Sequence, residues 1–241
     1  SQSLNDPLLR RFLGNSGRRQ RVERSLGSGV ILTPEGHIIT NNHVIADADA
    51  IQVLLHDGRS AKATAIGSDP ATDLAVLQIQ LPGLTPITLA NSDKAKVGDV
   101  VLAIGNPYGF GHSVSQGIIS GLSRYGLQAS DYEDYIQTDA SVLLGSSGGA
   151  LIDASGKLLG INTLIYTANG EGTDDAAIGI NLATPVNLAH FVMKDLVNYG
   201  TVVRGWLGVS VELLQTPETI AQQQQVLVVS GLAEDGPAAR A

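Results

Sequence analysis

The chain reads as an all-β protein, a barrel or sandwich in two similar halves, with one helix near its end. Three observations predict this. Short β-branched and apolar runs recur from Leu26 onward, punctuated by Gly, Pro and Asp turn signals. Helical periodicity is confined to one stretch after Thr184. The strand-like runs also divide into two sets on either side of residues 82–99.

Residues 1–25 form a polar, arginine-rich arm with one apolar knot at Leu8-Leu9 and Phe12-Leu13. Such a composition is expected to be a solvated arm or loop. The first set of strands covers residues 30–32, 38–40, 51–55, 62–66 and 74–79. Its turns fall at Thr33-Pro34-Glu35-Gly36, His56-Asp57-Gly58 and Ser68-Asp69-Pro70. The second set covers residues 100–104, 114–119, 136–137, 158–165 and 178–182. A helix follows, with Thr184 as its expected N-cap, Pro185 as its first residue and Gly200 as its stop. Leu188, Ala189, Val192, Met193, Leu196 and Val197 make its apolar stripe. The helix closes a first domain at about residue 203, and residues 204–241 open a segment too short to be a domain by itself.

A hydrophobic content of 43% with 16% charged residues describes a globular chain. The formal net charge of −8 argues against nucleic acid and anionic lipid as partners. No apolar run reaches bilayer-spanning length, and the first residues are not a signal peptide, so any export signal or anchor would have to lie upstream. The absence of cysteine excludes disulfides, thiolate nucleophiles and cysteine zinc sites.

The chemistry concentrates in Gly145-Ser146-Ser147-Gly148-Gly149. A nucleophilic serine needs an exposed Oγ and neighbouring N–H groups that can turn toward a substrate carbonyl, and flanking glycines permit both. His43 follows an apolar strand within Thr40-Asn41-Asn42-His43-Val44-Ile45, and Asp73 heads another within Thr72-Asp73-Leu74-Ala75-Val76-Leu77. The order His, Asp, Ser is that of chymotrypsin-type barrels. It casts Ser147 as nucleophile, His43 as general base then acid, and Asp73 as the group that orients the imidazole. The N–H groups of Gly145, Ser146 and Ser147 are the candidate oxyanion donors. His37, His56, His112 and His190 lack a comparable context.

With these segments, Gly105-Asn106-Pro107, Gln137-Thr138-Asp139-Ala140 and Gly160-Ile161-Asn162-Thr163, the chain resembles the HtrA/Deg serine proteases. Asn5-Asp6-Pro7-Leu8-Leu9-Arg10-Arg11-Phe12 and Arg204-Gly205-Trp206-Leu207-Gly208-Val209 are most similar to its bacterial DegS/AlgW type, with the DegQ/DegP-like branch as the nearby alternative. The resemblance implies a chymotrypsin-like double β-barrel over residues 26–203, with the triad in the cleft between barrels. It implies serine endopeptidase activity on a protein substrate, no cofactor and no metal, a homotrimer, and a periplasmic location with an inner-membrane tether. It further implies that Val142, Thr163 and Ile165 line the substrate pocket. Ser141 at the pocket floor carries no charge, which implies small aliphatic side chains as the preference. Residues 204–241 resemble the first, incomplete part of a PDZ domain. There Trp206, Leu207, Gly208 and Val209 would bind the C-terminal carboxylate of peptides from misfolded envelope proteins. Tyr108 and Arg124 match positions that relay such a signal, and in this type the substrate is a membrane anti-sigma factor.

The family usually carries Asn where Ser146 stands and a more polar pair where Leu143-Leu144 stand. These changes fall in the loop that orients the oxyanion donors, so Leu143, Leu144 and Ser146 decide whether the hole is formed at rest, and a proteolytically silent chaperone or peptide-sensing scaffold on the same fold is the alternative reading. The strand that usually precedes the arginine-rich arm is not among these residues, and the family's trimer contacts come largely from that region.

Overall fold

The computed structural model describes residues 26–106, 111–127, 129–143, 145–165, 180–214, 216 and 226–241. Strands β1 (Val30–Ile31), β2 (His37–Asn41), β3 (Ile51–Leu54), β4 (Ser60–Asp69) and β5 (Leu74–Gln78) make an antiparallel sheet in the order β1-β2-β5-β4-β3. The central strands are apolar on both faces because both faces are covered. Ile39, Leu74 and Val76 point to a core shared with the second β unit. Ile38, Leu77 and Ile79 point to the sheet's own interior.

The second unit is a closed barrel. Its strands are β6 (Val100–Gly105), β7 (Ser113–Arg124), β8 (Tyr135–Thr138), β9 (Ala150–Asp153), β10 (Leu158–Ile165) and β11 (Asn181–Pro185), in the order β10-β11-β8-β7-β6-β9. Val101, Ala103, Ile119, Ile136, Leu151 and Leu159 fill the interior, and closure leaves no unpaired edge. Two expectations change here. The halves are unequal, five strands in a sheet against six in a barrel. Strand β9 was hidden in the sequence by the glycine-rich run before it, yet it pairs with both β6 and β10 and closes the barrel.

One short turn, α1 (Asn42–Ile45), follows β2, and the long helix α2 (Val186–Tyr199) follows β11. Pro185 is the last residue of β11 and stands before the helix, and Thr184 is buried with its hydroxyl 2.9 Å from that of Thr163. The helix thus begins one residue later than the sequence suggests, because β11 keeps Thr184 and Pro185 extended. Gly200 ends it in the left-handed region, φ 73°, with its N–H bonded to the Leu196 carbonyl at 2.9 Å. Val186, Ala189, Val192, Met193 and Leu196 are buried against both β units, whereas Val197, expected on this stripe, is at its exposed edge. After the helix, β12 (Val209–Leu214) and β13 (Val226–Leu232) form an antiparallel hairpin followed by the single turn α3 (Pro237–Arg240).

Leu196 is fully buried and packs over Gly67 of β4, where a Cβ would come within 3.1 Å of its side chain. Leu196→Ala should therefore cost about 2–5 kcal/mol of stability, read as a lower denaturant midpoint at unchanged slope. A change under about 0.5 kcal/mol would show that the helix does not hold the two units together.

Candidate active site

Strand β2 delivers Asn41, Asn42 and His43 to the start of β5. The Asn42 N–H donates to the Asp73 carbonyl at 3.0 Å, and the Asn41 side chain donates to the same oxygen at 2.9 Å. The His43 N–H donates to Asp73 Oδ1 at 2.9 Å, and His43 Nδ1 lies 2.6 Å from Oδ2. Asp73 adopts a left-handed backbone, φ 54°. Asp tolerates that region better than most residues, at a cost on the order of 1–3 kcal/mol, and these four bonds offset it. A carboxylate can only accept, so a neutral imidazole here carries its proton on Nδ1 and leaves Nε2 as an acceptor. The His43 side chain is half exposed while Asp73 is mostly covered.

The serine turn is held from β1's approach and from β10. The Ser28 N–H donates to the Ser147 carbonyl at 2.8 Å, and Ser28 Oγ donates to the Gly145 carbonyl at 2.8 Å. Ser28 Oγ in turn accepts from the Asn106 N–H at 2.9 Å. The Gly148 N–H donates to the Asn162 carbonyl at 2.8 Å, and the Asn162 side chain ties the carbonyls of Ile104 and Ala150. Gly148 has φ 83°, and a Cβ there would lie 2.2 Å from the Ser28 carbonyl oxygen, so glycine is required.

Ser147 Oγ donates to the Thr163 carbonyl at 3.1 Å, not to His43. Among the described residues, no hydrogen bond takes the N–H of Gly145 or of Ser147. The Ser146 N–H, expected with them as an oxyanion donor, is spent on the Leu143 carbonyl at 2.8 Å and faces into the turn. Thr163 is one of the residues that the resemblance assigns to the substrate pocket. Its side chain is fully buried, bonded to the Ile161 carbonyl and to the hydroxyl of Thr184, so only its carbonyl faces Ser147. Val142 is buried in the barrel core. The side chain of Ile165 and all of Tyr108 lie outside the described residues, as do residues 1–25. Arg124 folds back along its own barrel, its Nε 2.9 Å from Gln137 Oε1. In the C-terminal segment Trp206 and Leu207 are exposed, and the Gly208 carbonyl accepts from the Ala233 N–H at 2.8 Å.

Sequence reasoning did not single out Asn41 or Ser28. Asn41 is fully buried, and its Nδ2 reaches both the Asp73 carbonyl and Thr163 Oγ1, at 2.9 and 3.3 Å. It joins the unit carrying His43 and Asp73 to the unit carrying Ser147. Glycines on both sides of Ser28, as around Ser147, were the available signal.

Behind Asp73, the turn from Asp69 is braced by a third element. The Arg204 guanidinium binds Asp69 through two bonds of 2.9 and 2.5 Å, Thr72 Oγ1 donates to Asp69 Oδ2 at 2.5 Å, and Arg204 stacks on the Tyr132 ring at 4.4 Å. Burial alone would raise the Asp69 carboxyl; the bonds from Arg204 and Thr72, with the guanidinium charge, outweigh it and hold the carboxyl below the usual range.

Two packed β units, a histidine bound to an aspartate and a serine on a glycine-flanked turn define a trypsin-like peptidase, and a trypsin-like peptidase domain matches residues 27–161. Escherichia coli DegS is 44% identical over 96% of this chain and 66% of its own length. Escherichia coli DegP, a periplasmic serine endoprotease, is 44% identical over 92% of this chain and 48% of its own. The solved HtrA-type protease AlgW with a decapeptide superposes with a TM-score of 0.75 at 50% identity, over 89% of this chain and 66% of that one. The chain belongs to the HtrA serine proteases. It spans about half the length of DegP and two thirds of DegS.

The depressed folded-state pKa of Asp69 fixes a sign. Its contribution to stability is full above the ordinary aspartate value of about 3.9 and is lost as the pH falls through the folded value. Urea unfolding of the wild type and of Asp69→Asn should show a constant stability gap at neutral pH that narrows below about pH 4. A gap that stays the same into acid would mean that ionised Asp69 adds nothing.

Proposed function

We propose that this chain is the catalytic part of a periplasmic HtrA-type serine endoprotease that cuts an exposed segment of a protein substrate. The observation that carries the reading is the 2.6 Å contact of His43 Nδ1 with Asp73, together with Ser147 on its glycine-held turn. In this mechanism Ser147 Oγ attacks the scissile carbonyl carbon while His43 Nε2 takes its proton. The N–H groups of Gly145 and Ser147 receive the oxyanion. His43 then gives the proton to the leaving amine as the C–N bond breaks, and a water repeats the sequence in reverse to free the acid. Asp73 stabilises the imidazolium throughout.

The Ser147 hydroxyl bonded to the Thr163 carbonyl supports a resting state that must be switched on. Turning one oxyanion donor away costs about 3–4 kcal/mol of transition-state stabilisation, which is enough to silence the triad. Residues 204–241 are the beginning of a PDZ domain in this reading, and a hydrophobic C-terminal peptide of a misfolded envelope protein is the switch. The substrate is a membrane anti-sigma factor, cut by a homotrimer tethered to the inner membrane. The equal identity to DegP and DegS favours a second reading, a quality-control protease with broader substrates.

A serine-directed phosphonate probe tests the first claim. Labelling that rises with a hydrophobic C-terminal peptide and vanishes in Ser147→Ala is expected; no labelling under any condition would exclude a protease. Asp73→Asn should keep the fold and lower turnover by about 10⁴-fold. Turnover within tenfold of wild type would remove Asp73 from its role.

A further inference from the structure

Asn41 ends β2, opposite Leu74 at the head of β5. Among the described residues Asp73 is bonded by Asn41, Asn42 and His43, and of these three only the Asn41 side chain also crosses to the second β unit, where it meets Thr163 of β10. We propose that Asn41 is a positioning residue whose amide sets the spacing between the His43–Asp73 pair and Ser147 by tying the Asp73 carbonyl to Thr163. The inference rests on the serine chemistry proposed above and adds to it a residue that touches neither substrate nor reacting atoms.

A count of donors shows why an amide suits this place. Asn41 Nδ2 has two protons pointing in different directions, and it gives one to the Asp73 carbonyl at 2.9 Å and the other to Thr163 Oγ1 at 3.3 Å. A hydroxyl would have one proton to give and a carboxylate none. Both acceptors are thereby filled. The Asp73 carbonyl has two lone pairs, and the Asn42 N–H takes the other at 3.0 Å. The Thr163 hydroxyl gives its one proton to the Ile161 carbonyl at 3.0 Å, so Thr184 Oγ1 donates to it at 2.9 Å and Asn41 fills the remaining lone pair. Asn41, Thr163 and Thr184 are all buried, which keeps bulk water from competing for these bonds.

The far end of the bridge is the residue that receives the nucleophile. The Thr163 carbonyl accepts from Ser147 Oγ at 3.1 Å, and the adjoining Asn162 carbonyl accepts from the Gly148 N–H at 2.8 Å. A continuous path of hydrogen bonds therefore runs from His43 through Asp73, Asn41 and Thr163 to Ser147. Ser28 also joins the two units, but its bonds end on Thr40, Asn106 and the serine turn, and none reaches Asp73. Proton transfer from Ser147 Oγ to His43 Nε2 needs the reacting atoms about 3–3.5 Å apart and aligned, and a misplacement on the order of 1 Å costs about 10²-fold in rate. Loss of the bridge is thus a loss of rate rather than of affinity.

The test uses two variants of the full chain. Asn41→Leu keeps the volume and removes both donors, and Thr163→Val keeps the shape and removes only the far acceptor. Phosphonate labelling, with the hydrophobic C-terminal peptide present, is followed against probe concentration to separate the maximal rate from the probe's affinity. The maximal rate should fall about 10²-fold in either variant, with affinity within about threefold of wild type. Thr163→Ser, which returns a hydroxyl to Asn41, should recover most of that loss. The pH dependence of labelling, which reports His43, should be unshifted in Asn41→Leu because both bonds from His43 to Asp73 remain. A maximal rate within about threefold of wild type in folded Asn41→Leu, a loss carried by affinity alone, or Thr163→Ser as slow as Thr163→Val overturns the proposal. A shifted pH profile would put the damage in the pair itself and overturn the spacing role. Near-ultraviolet circular dichroism reports the fold, and if Asn41→Leu does not fold, Thr163→Val decides. A wild type that never labels removes the protease reading and this proposal together; a wild type that labels beside an unslowed variant removes this proposal alone.

Discussion

The contact between His43 and Asp73 is the interaction on which the rest of the site depends. It is made by backbone as much as by side chain: the N–H groups of Asn42 and His43 and the amide of Asn41 all end on Asp73. These bonds hold an aspartate in a left-handed conformation that an unsupported residue would leave. The dyad is thereby set before any substrate arrives, with the imidazole proton on the aspartate side and the other nitrogen ready to accept. Asp69, Thr72 and Arg204 brace the same turn from behind, so the segment after the long helix touches the chemistry without entering it.

The serine side is built differently. Its rigidity comes from absences of side chain, since Gly148 lies where any Cβ would strike the Ser28 carbonyl and Gly105 where one would strike Ser146. Ser28, ahead of β1, and Asn162 of β10 then pin the turn. What is left adjustable is the hydroxyl of Ser147.

Much of this was legible in the sequence because it rests on local pattern. Alternating apolar runs marked β2, β5, β6, β7 and β10, and the Gly200 stop marked the end of α2. Ser147, His43 and Asp73 stood out as candidates because Ser147 sits among glycines and because His43 and Asp73 border strands in the order of a barrel protease. What was missed depends on tertiary contact. Strand β9 exists because β6 and β10 wait on either side of it. Thr184 fails to cap the helix because the barrel keeps it extended against Thr163. The three buried bonds of the Thr163 hydroxyl, to Asn41, Ile161 and Thr184, are contacts of this kind too. Whether Ser146 offers its N–H to a substrate or to Leu143 is a choice of one peptide orientation, and composition carries no trace of it.

The most direct measurement is the nitrogen NMR spectrum of His43 in the resting protein, assigned by loss of its signals in His43→Ala. In the neutral imidazole, a proton held on Nδ1 by Asp73 with Nε2 bare, without any peptide, is the expected result. A neutral imidazole protonated at Nε2, or one exchanging freely between tautomers, would contradict a dyad set in advance by the fold.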